Sequence, residues 1–321
     1  FPGKANMQKI FVLYTGGTIG MKPSPNGLVP DAQLAEQALQ PYAEQAVFHW
    51  HICQPLIDSS NITPQHWAQW LAILQAALPE HDGILVLHGT DTLAYTANFL
   101  ALALDSGGKP IVLTGAQKPY HAADSDAPAN LQTAVSALQN PQLHSTVIAF
   151  GGRLYPAIGS SKCSTELDQG FDNAHFNTWQ PNTPPRRLSG LPIRFNPNAR
   201  VCSHLLTPGS SPEQIAHSLR HFPQEAAILL SYGQGHAPAS PELLAAVQHF
   251  TQNGGLLLNI SQAHHGRTGT AYAQGNALRQ AGAVGGGKCN IETATALMTL
   301  AAGNRWTASQ LQQALAQLDL L

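Results

Sequence analysis

A chain of 321 residues exceeds the usual span of one compact core, and 43% hydrophobic against 11% charged content excludes a disordered chain. With 16 basic and 18 acidic side chains the formal net charge is -2, and no run of Lys or Arg offers nucleic acid or anionic lipid an electrostatic foothold. Apolar runs such as "GILVLHG" are too short to cross a bilayer, so no membrane and no nucleic-acid partner is expected. Small neutral or zwitterionic ligands fit better, and the sparse charge favours contacts between copies of the chain, a homo-oligomer.

Residues 1–6 carry no periodicity and precede Met7, so they are expected to be an expression remnant ahead of the natural start. With no charged segment leading into an apolar one, the expected location is cytoplasmic. "IFVLY" then reads as a strand, followed by a helical "DAQLAEQALQ", the strand "VFHWHIC" and a helix in "TPQHWAQWLAILQAAL". In that helix Thr63 supplies the N-cap and Pro64 the first helical position. "GILVLHG", "TLAYTANFLALAL", "PIVLTG", "APANLQTAVSALQ" and "STVIAF" continue the alternation. The rhythm predicts an α/β fold with a larger N-terminal domain, residues 7–180, around a mostly parallel, doubly wound sheet. Residues 181–200 are rich in Pro, Asn and Arg and read as a linker. After it, "SPEQIAHSLRHF", "AAILLSY", "PELLAAVQHF", "GLLLNI" and two closing helices predict a smaller C-terminal α/β domain, residues 201–321, with a parallel sheet.

Two strand ends carry unusual chemistry. "IFVLY" runs into "TGGTIG" and "GILVL" into "HGTDT", which would set Thr15, Thr18, Thr90, Asp91 and Thr92 along one rim of a parallel sheet. Gly16, Gly17 and Gly89 permit tight turns and close approach to a ligand. "TGGTIG" lacks the first glycine of a dinucleotide-binding turn and the Lys-Ser/Thr of a P-loop, so nucleotide binding is not expected. "HGTDT" alone would be an ordinary helix cap. Together, two hydroxyl-bearing ends suggest a nucleophile that needs a base or a polarising charge. Lys162, in "AIGSSKCST", can serve beside Asp91, relaying a proton through a threonine; by spacing alone it is a solvated loop charge.

These residues resemble a known family. "YTGGTIGM" at residues 14–21, "DSSNITPQHW" at 58–67, "LHGTDTLAYTA" at 87–97, "TGAQ" at 114–117, "SYGQGHAP" at 231–238 and "YAQGNAL" at 272–278 are similar to words of bacterial L-asparaginases, within them the type I cytoplasmic subgroup. The resemblance runs from Met7 to the C-terminus. It implies hydrolysis of asparagine to aspartate and ammonia, with no metal and no organic cofactor. Thr18 would be the nucleophile that forms an acyl-enzyme, and Thr90, Asp91 and Lys162 a second catalytic triplet. Ser60 would hold the substrate's α-carboxylate, while Ser59, Asn61 and Asp91 would contact its α-carboxylate or α-amino group. The same resemblance implies intimate dimers, usually paired into tetramers. One methylene is worth only about 1 to 3 kcal/mol in a pocket, which admits glutamine as a minor substrate.

Departures from the family pattern bear on mechanism. Leu28 stands where relatives usually carry a tyrosine, and leucine cannot move a proton. His236 replaces a common asparagine. Leu230 and Ala263 occupy the places of the arginine and cysteine of an activating asparagine site, so no such activation is expected. The 15 histidines include His217 and His221 four apart and His49 and His51 two apart, with no third metal ligand at motif spacing. Cys53, Cys163, Cys202 and Cys289 are scattered and read as reduced thiols, with Cys163 expected to be a small buried apolar residue. Two other functions share the motifs: the amidase subunit of a tRNA-dependent amidotransferase, and a non-catalytic amino-acid-binding protein. Leu28 favours the latter; Thr18, Thr90, Asp91 and Lys162 together oppose it.

Overall fold

The computed structural model describes residues 7–269 and 273–321; the expected remnant at residues 1–6 and Tyr272 of "YAQGNAL" lie outside the described residues. The chain divides into two compact units, Phe1–Pro185 and Arg186–Leu321.

In the N-terminal unit, β1 (Gln8–Tyr14) leads through a single 3-10 turn (Thr18–Gly20) into a hairpin of β2 (Met21–Ser24) and β3 (Gly27–Pro30). Then come α1 (Ala32–Leu39), β4 (Ala46–Ile52), α2 (Pro64–Ala77), β5 (Gly83–Leu87), α3 (Leu93–Ala103), β6 (Ile111–Thr114), α4 (Ala127–Leu138) and β7 (Thr146–Phe150). Three short strands follow: β8 (Arg153–Pro156), β9 (Ser160–Lys162) and β10 (Phe171–Asn173). The main sheet has the order β4-β1-β5-β6-β7-β8 and is parallel except for β8, which runs antiparallel to β7. This is the expected mostly parallel α/β sheet. β2, β3 and β8 escape sequence patterning because "MKPS", "GLVP" and "RLYP" are short and each contains proline.

The sheet is buried because its strands read as continuous apolar runs. All five residues of β5, "GILVL", are buried. On one face Val12, Tyr14, Leu85, Leu87 and Val112 pack with Ala35, Ala38 and Leu39 of α1 and Leu131, Ala134 and Val135 of α4. The Trp67 ring of α2 stacks on Phe99 of α3 with centroids 4.7 Å apart. Taking the parallel strands β1, β4, β5, β6 and β7 as first to fifth, the sheet order is 2-1-3-4-5 and reverses between β1 and β5. Ligand crevices in open α/β sheets lie at the carboxyl ends beside such a reversal. Here those ends are "TGGT" and "HGT".

The C-terminal unit contains β11 (Val201–Leu205), α5 (Ser211–His221), β12 (Ala226–Ser231), α6 (Pro241–Gln252), β13 (Leu256–Ser261), α7 (Ala273–Gln280), β14 (Val284–Gly285), α8 (Ile291–Gly303) and α9 (Ala308–Gln317). Its four strands form a parallel sheet in the order β11-β12-β13-β14, the expected smaller sheet. Leu229 and Leu257 pack there with Ile215, Leu243, Val247 and Phe250 from the helices. Among the described residues no helix is long and apolar enough to cross a membrane.

Candidate active site

The turns after β1 and β5 meet through their glycines. Gly17, at φ 97° and ψ 168°, has no side chain where an added Cβ would lie 2.6 Å from Gly89 N and 2.7 Å from Gly89 Cα. A Cβ on Gly89 would in turn lie 2.6 Å from Ser59 Oγ, and one on Gly115, in "TGAQ", would collide with the His88 carbonyl oxygen. Four motifs separated in sequence thus converge at contacts too close for these glycines to carry side chains. The glycines serve mutual approach of these turns, which is why they sit beside the hydroxyls.

The two threonines of the first turn are not equivalent. Thr15 is buried, and both its N–H (2.9 Å) and its hydroxyl (3.0 Å) donate to the Leu87 carbonyl, tying β1 to the end of β5. Thr18 opens the 3-10 turn half-buried, and its hydroxyl has no hydrogen bond to another described residue. It is the hydroxyl of the two that remains available for chemistry.

Lys162 ends β9, and its Nζ donates to Thr90 Oγ1 at 2.8 Å and to Asp91 Oδ1 at 2.7 Å. The lysine side chain is 17% exposed and the aspartate 62%, so the ammonium is held inside while the carboxylate faces outward. Sequence spacing suggested a solvated loop charge; antiparallel pairing of β9 with β10, Lys162 opposite Phe171, holds it on the site instead. A cavity of about 630 Å³ adjoins Lys162 and is lined onward by Cys163 to Leu167. Cys163 is exposed there, not buried as expected, because the chain leaves the sheet directly after Lys162.

Ser59, Ser60 and Asn61 form a 3-10 turn capped by Asp58. Ser59 is buried against Gly89, and its carbonyl accepts the Thr92 hydroxyl at 2.7 Å, binding this turn to the start of α3. Ser60 and Asn61 are exposed, and the Ser60 hydroxyl donates to Asp58 Oδ1 at 2.9 Å. Leu28 lies on the β2–β3 hairpin, 47% exposed, opposite Pro23. The hairpin is pinned by the Lys22–Asp31 ion pair at 3.0 Å and by Asp31 N donating to the Gly20 carbonyl. His236 belongs to the C-terminal unit, half-buried, with its backbone paired both ways to Tyr232.

Sequence reading missed the support behind these turns. His88 is fully buried; Nδ1 donates to the Gly89 carbonyl (2.7 Å), and Nε2 accepts the Thr96 hydroxyl (2.8 Å), whose oxygen accepts Trp67 Nε1–H (3.0 Å). Burial depresses the imidazole to about 4, so the ring is neutral and every polar atom is satisfied. Behind "TGAQ", Asp126 accepts Gln117 N at 2.9 Å and Lys118 N at 3.1 Å, while Asn130 Nδ2 donates to the Gly115 carbonyl. The "H" of "HGTDT" was the available signal for the first network. Among the described residues no group of three or more His, Cys, Asp or Glu gathers as a metal centre.

Comparison with known proteins matches this arrangement to one family. Residues 9–182 match "Asparaginase, N-terminal", and residues 200–315 match "Glutaminase/Asparaginase C-terminal domain". The chain belongs to the asparaginase family. It is 34% identical over 311 residues to L-asparaginase 1 of Escherichia coli, covering 89% of this chain and 90% of that one. The crystal structure of L-asparaginase I from Vibrio cholerae superposes with a TM-score of 0.84 at 29% identity, covering 96% and 97% of the two chains. The thermostable L-asparaginase from Thermococcus kodakarensis gives 0.84 at 26% identity, covering 98% and 99%. As a family member the chain is an amidohydrolase, and the asparaginase two-domain fold accounts for its two larger sheets.

Proposed function

We propose that this asparaginase hydrolyses L-asparagine to L-aspartate and ammonia through an ester on Thr18, with Thr90, Asp91 and Lys162 handling protons. The supporting observation is the Lys162 ammonium, bonded at once to Thr90 Oγ1 and Asp91 Oδ1 on a turn whose backbone touches the Thr18 turn. Thr18 Oγ1 attacks the side-chain amide carbon, and the tetrahedral oxygen takes hydrogen bonds from backbone N–H groups of the glycine turns. Thr90 passes a proton from Lys162 to the departing nitrogen, which leaves as ammonia, and the lysine amine so formed takes up the proton lost by Thr18. Water then attacks the ester, returning a proton to Thr18 and leaving the carboxyl group of aspartate. Asp91, exposed and acidic, takes the substrate's α-ammonium, and Ser59, Ser60 and Asn61 take its α-carboxylate.

In this reading the chemistry belongs to residues 7–180, residues 181–200 connect them to the smaller domain at 201–321, and the working species is a cytoplasmic homo-oligomer, a dimer or a dimer of dimers. Glutamine is a slow second substrate. The test is ammonia release from asparagine and glutamine by wild type, Thr18→Ala, Thr90→Val and Lys162→Met. Each variant is expected to lose at least about a hundredfold in kcat, the lower range for lost proton transfer, with unchanged circular dichroism. Equal rates in all four proteins would overturn the assignment. Aspartate binding by a wild type that releases no ammonia would establish the amino-acid-binding alternative.

A further inference from the structure

At the β4 edge of the main sheet, two imidazoles outside the catalytic machinery point their ring nitrogens at each other. His49 Nδ1 lies 2.7 Å from His81 Nε2. His81 is buried just before β5, and its Nδ1 lies 2.7 Å from the Ala77 carbonyl at the end of α2. A carbonyl can only accept, so Nδ1 of His81 carries the hydrogen and Nε2 presents a lone pair. His49, exposed on β4, donates its own Nδ1–H into that lone pair. The Phe11 ring of β1 packs edge-on against His81 with centroids 5.2 Å apart and holds the buried ring in place.

This is the preparation of a metal ligand. Ligating histidines commonly donate their second ring N–H to a backbone carbonyl, which fixes tautomer and orientation. We propose that His49 and His81 form a two-histidine site for a borderline divalent transition metal such as Zn²⁺, completed by water. Two nitrogens at tetrahedral zinc distances of about 2.0 to 2.1 Å stand about 3.3 Å apart, and with the ion on the lone-pair axis of His81 the His49 ring must both withdraw and swing aside from its present hydrogen bond. The exposed His49 side chain supplies that movement while His81 stays fixed. The hydrogen between the rings moves to Nε2 of His49 on the solvent side, so no proton need leave the pair. The bound ion would clip the edge strand β4 to the α2–β5 junction.

Zn²⁺ alone is titrated into the full chain by calorimetry, comparing wild type with His49→Gln. The expected result is a one-to-one event in wild type that weakens at least tenfold in His49→Gln, whose exposed position leaves folding intact. His81→Gln is a second variant expected to behave the same way. A His217→Gln/His221→Gln protein removes the competing helical pair, whose rings lie 4.5 Å apart, and is expected to keep the event. Thermal unfolding with Zn²⁺ should rise in wild type and not in His49→Gln. Identical titrations for wild type and His49→Gln, or loss of the event only with the His217/His221 pair, would overturn the site.

Discussion

Replacing Gly17 by alanine tests whether the turns that carry Thr18 and Thr90 depend on backbone contact. At φ 97° and ψ 168° the residue occupies a region open essentially to glycine alone, and placing a side chain there costs about 1 to 3 kcal/mol. The added Cβ would also stand 2.6 Å from Gly89 N and 2.7 Å from Gly89 Cα. Neither obstacle is the end of a flexible side chain, so relief requires moving one turn, at an overpacking cost of about 1 to 3 kcal/mol. The sum, about 2 to 6 kcal/mol, is less than the upper range of a domain's stability, so the variant is expected to fold with a lowered urea midpoint. Displacing Thr18 from Thr90 by about 1 Å predicts about a hundredfold loss in kcat/KM for ammonia release. Gly254→Ala is the control: its φ is 87°, no heavy atom would lie within 4 Å of its Cβ, and it is expected to lose stability without losing kcat/KM. A Gly17→Ala enzyme with wild-type kcat/KM, destabilised no more than Gly254→Ala, would refute the contact.

Leu28→Tyr places a phenol on the hairpin where the resemblance leads one to expect it and should raise kcat on asparagine about tenfold or more; unchanged turnover would show that a phenol is dispensable here. Tyr14 buries a hydroxyl that has no hydrogen-bond partner among the described residues and lies against Gly20, so Tyr14→Phe should stabilise by about 1 kcal/mol in urea unfolding, and destabilisation by that much would contradict it. His88, held near 4 against its ordinary 6.5, binds fewer protons folded than unfolded between those values, so its contribution is intact above pH 6.5 and lost as pH falls toward 4. Over that window the loss is about 3 kcal/mol, and His88→Gln should flatten the curve; a parallel decline in both proteins would assign it elsewhere. If Leu230 and Ala263 stand where the resemblance puts the arginine and cysteine of an activating site, asparagine kinetics should be hyperbolic, and sigmoidal curves would refute this.

The α/β rhythm and the two hydroxyl-bearing strand ends were legible because long apolar runs and Gly-Thr punctuation are local signals. "GILVL" announces a strand buried on both faces before any partner is known. Lys162 was not legible from spacing: the site depends on β9 and β10, three residues each, whose pairing is long-range and too short to leave a pattern. The same holds for Asp126 and Asn130, whose task is to hold the "TGAQ" turn from a neighbouring helix.

Thr15 and Thr18 show how three-dimensional bonding separates two residues that composition leaves alike. Both flank the same glycine pair, and either could have been the reactive alcohol on chemical grounds. Thr15 is spent on the Leu87 carbonyl, where its hydroxyl and its amide together hold β1 in register with β5. Removing it would loosen the junction on which the Gly17–Gly89 approach depends. Thr18 emerges one turn later with no hydrogen bond from its hydroxyl to another described residue, beside a turn already occupied by Thr90 and a lysine. A glycine pair between two threonines therefore does two different jobs: the first hydroxyl locks the sheet so that the second can be left free.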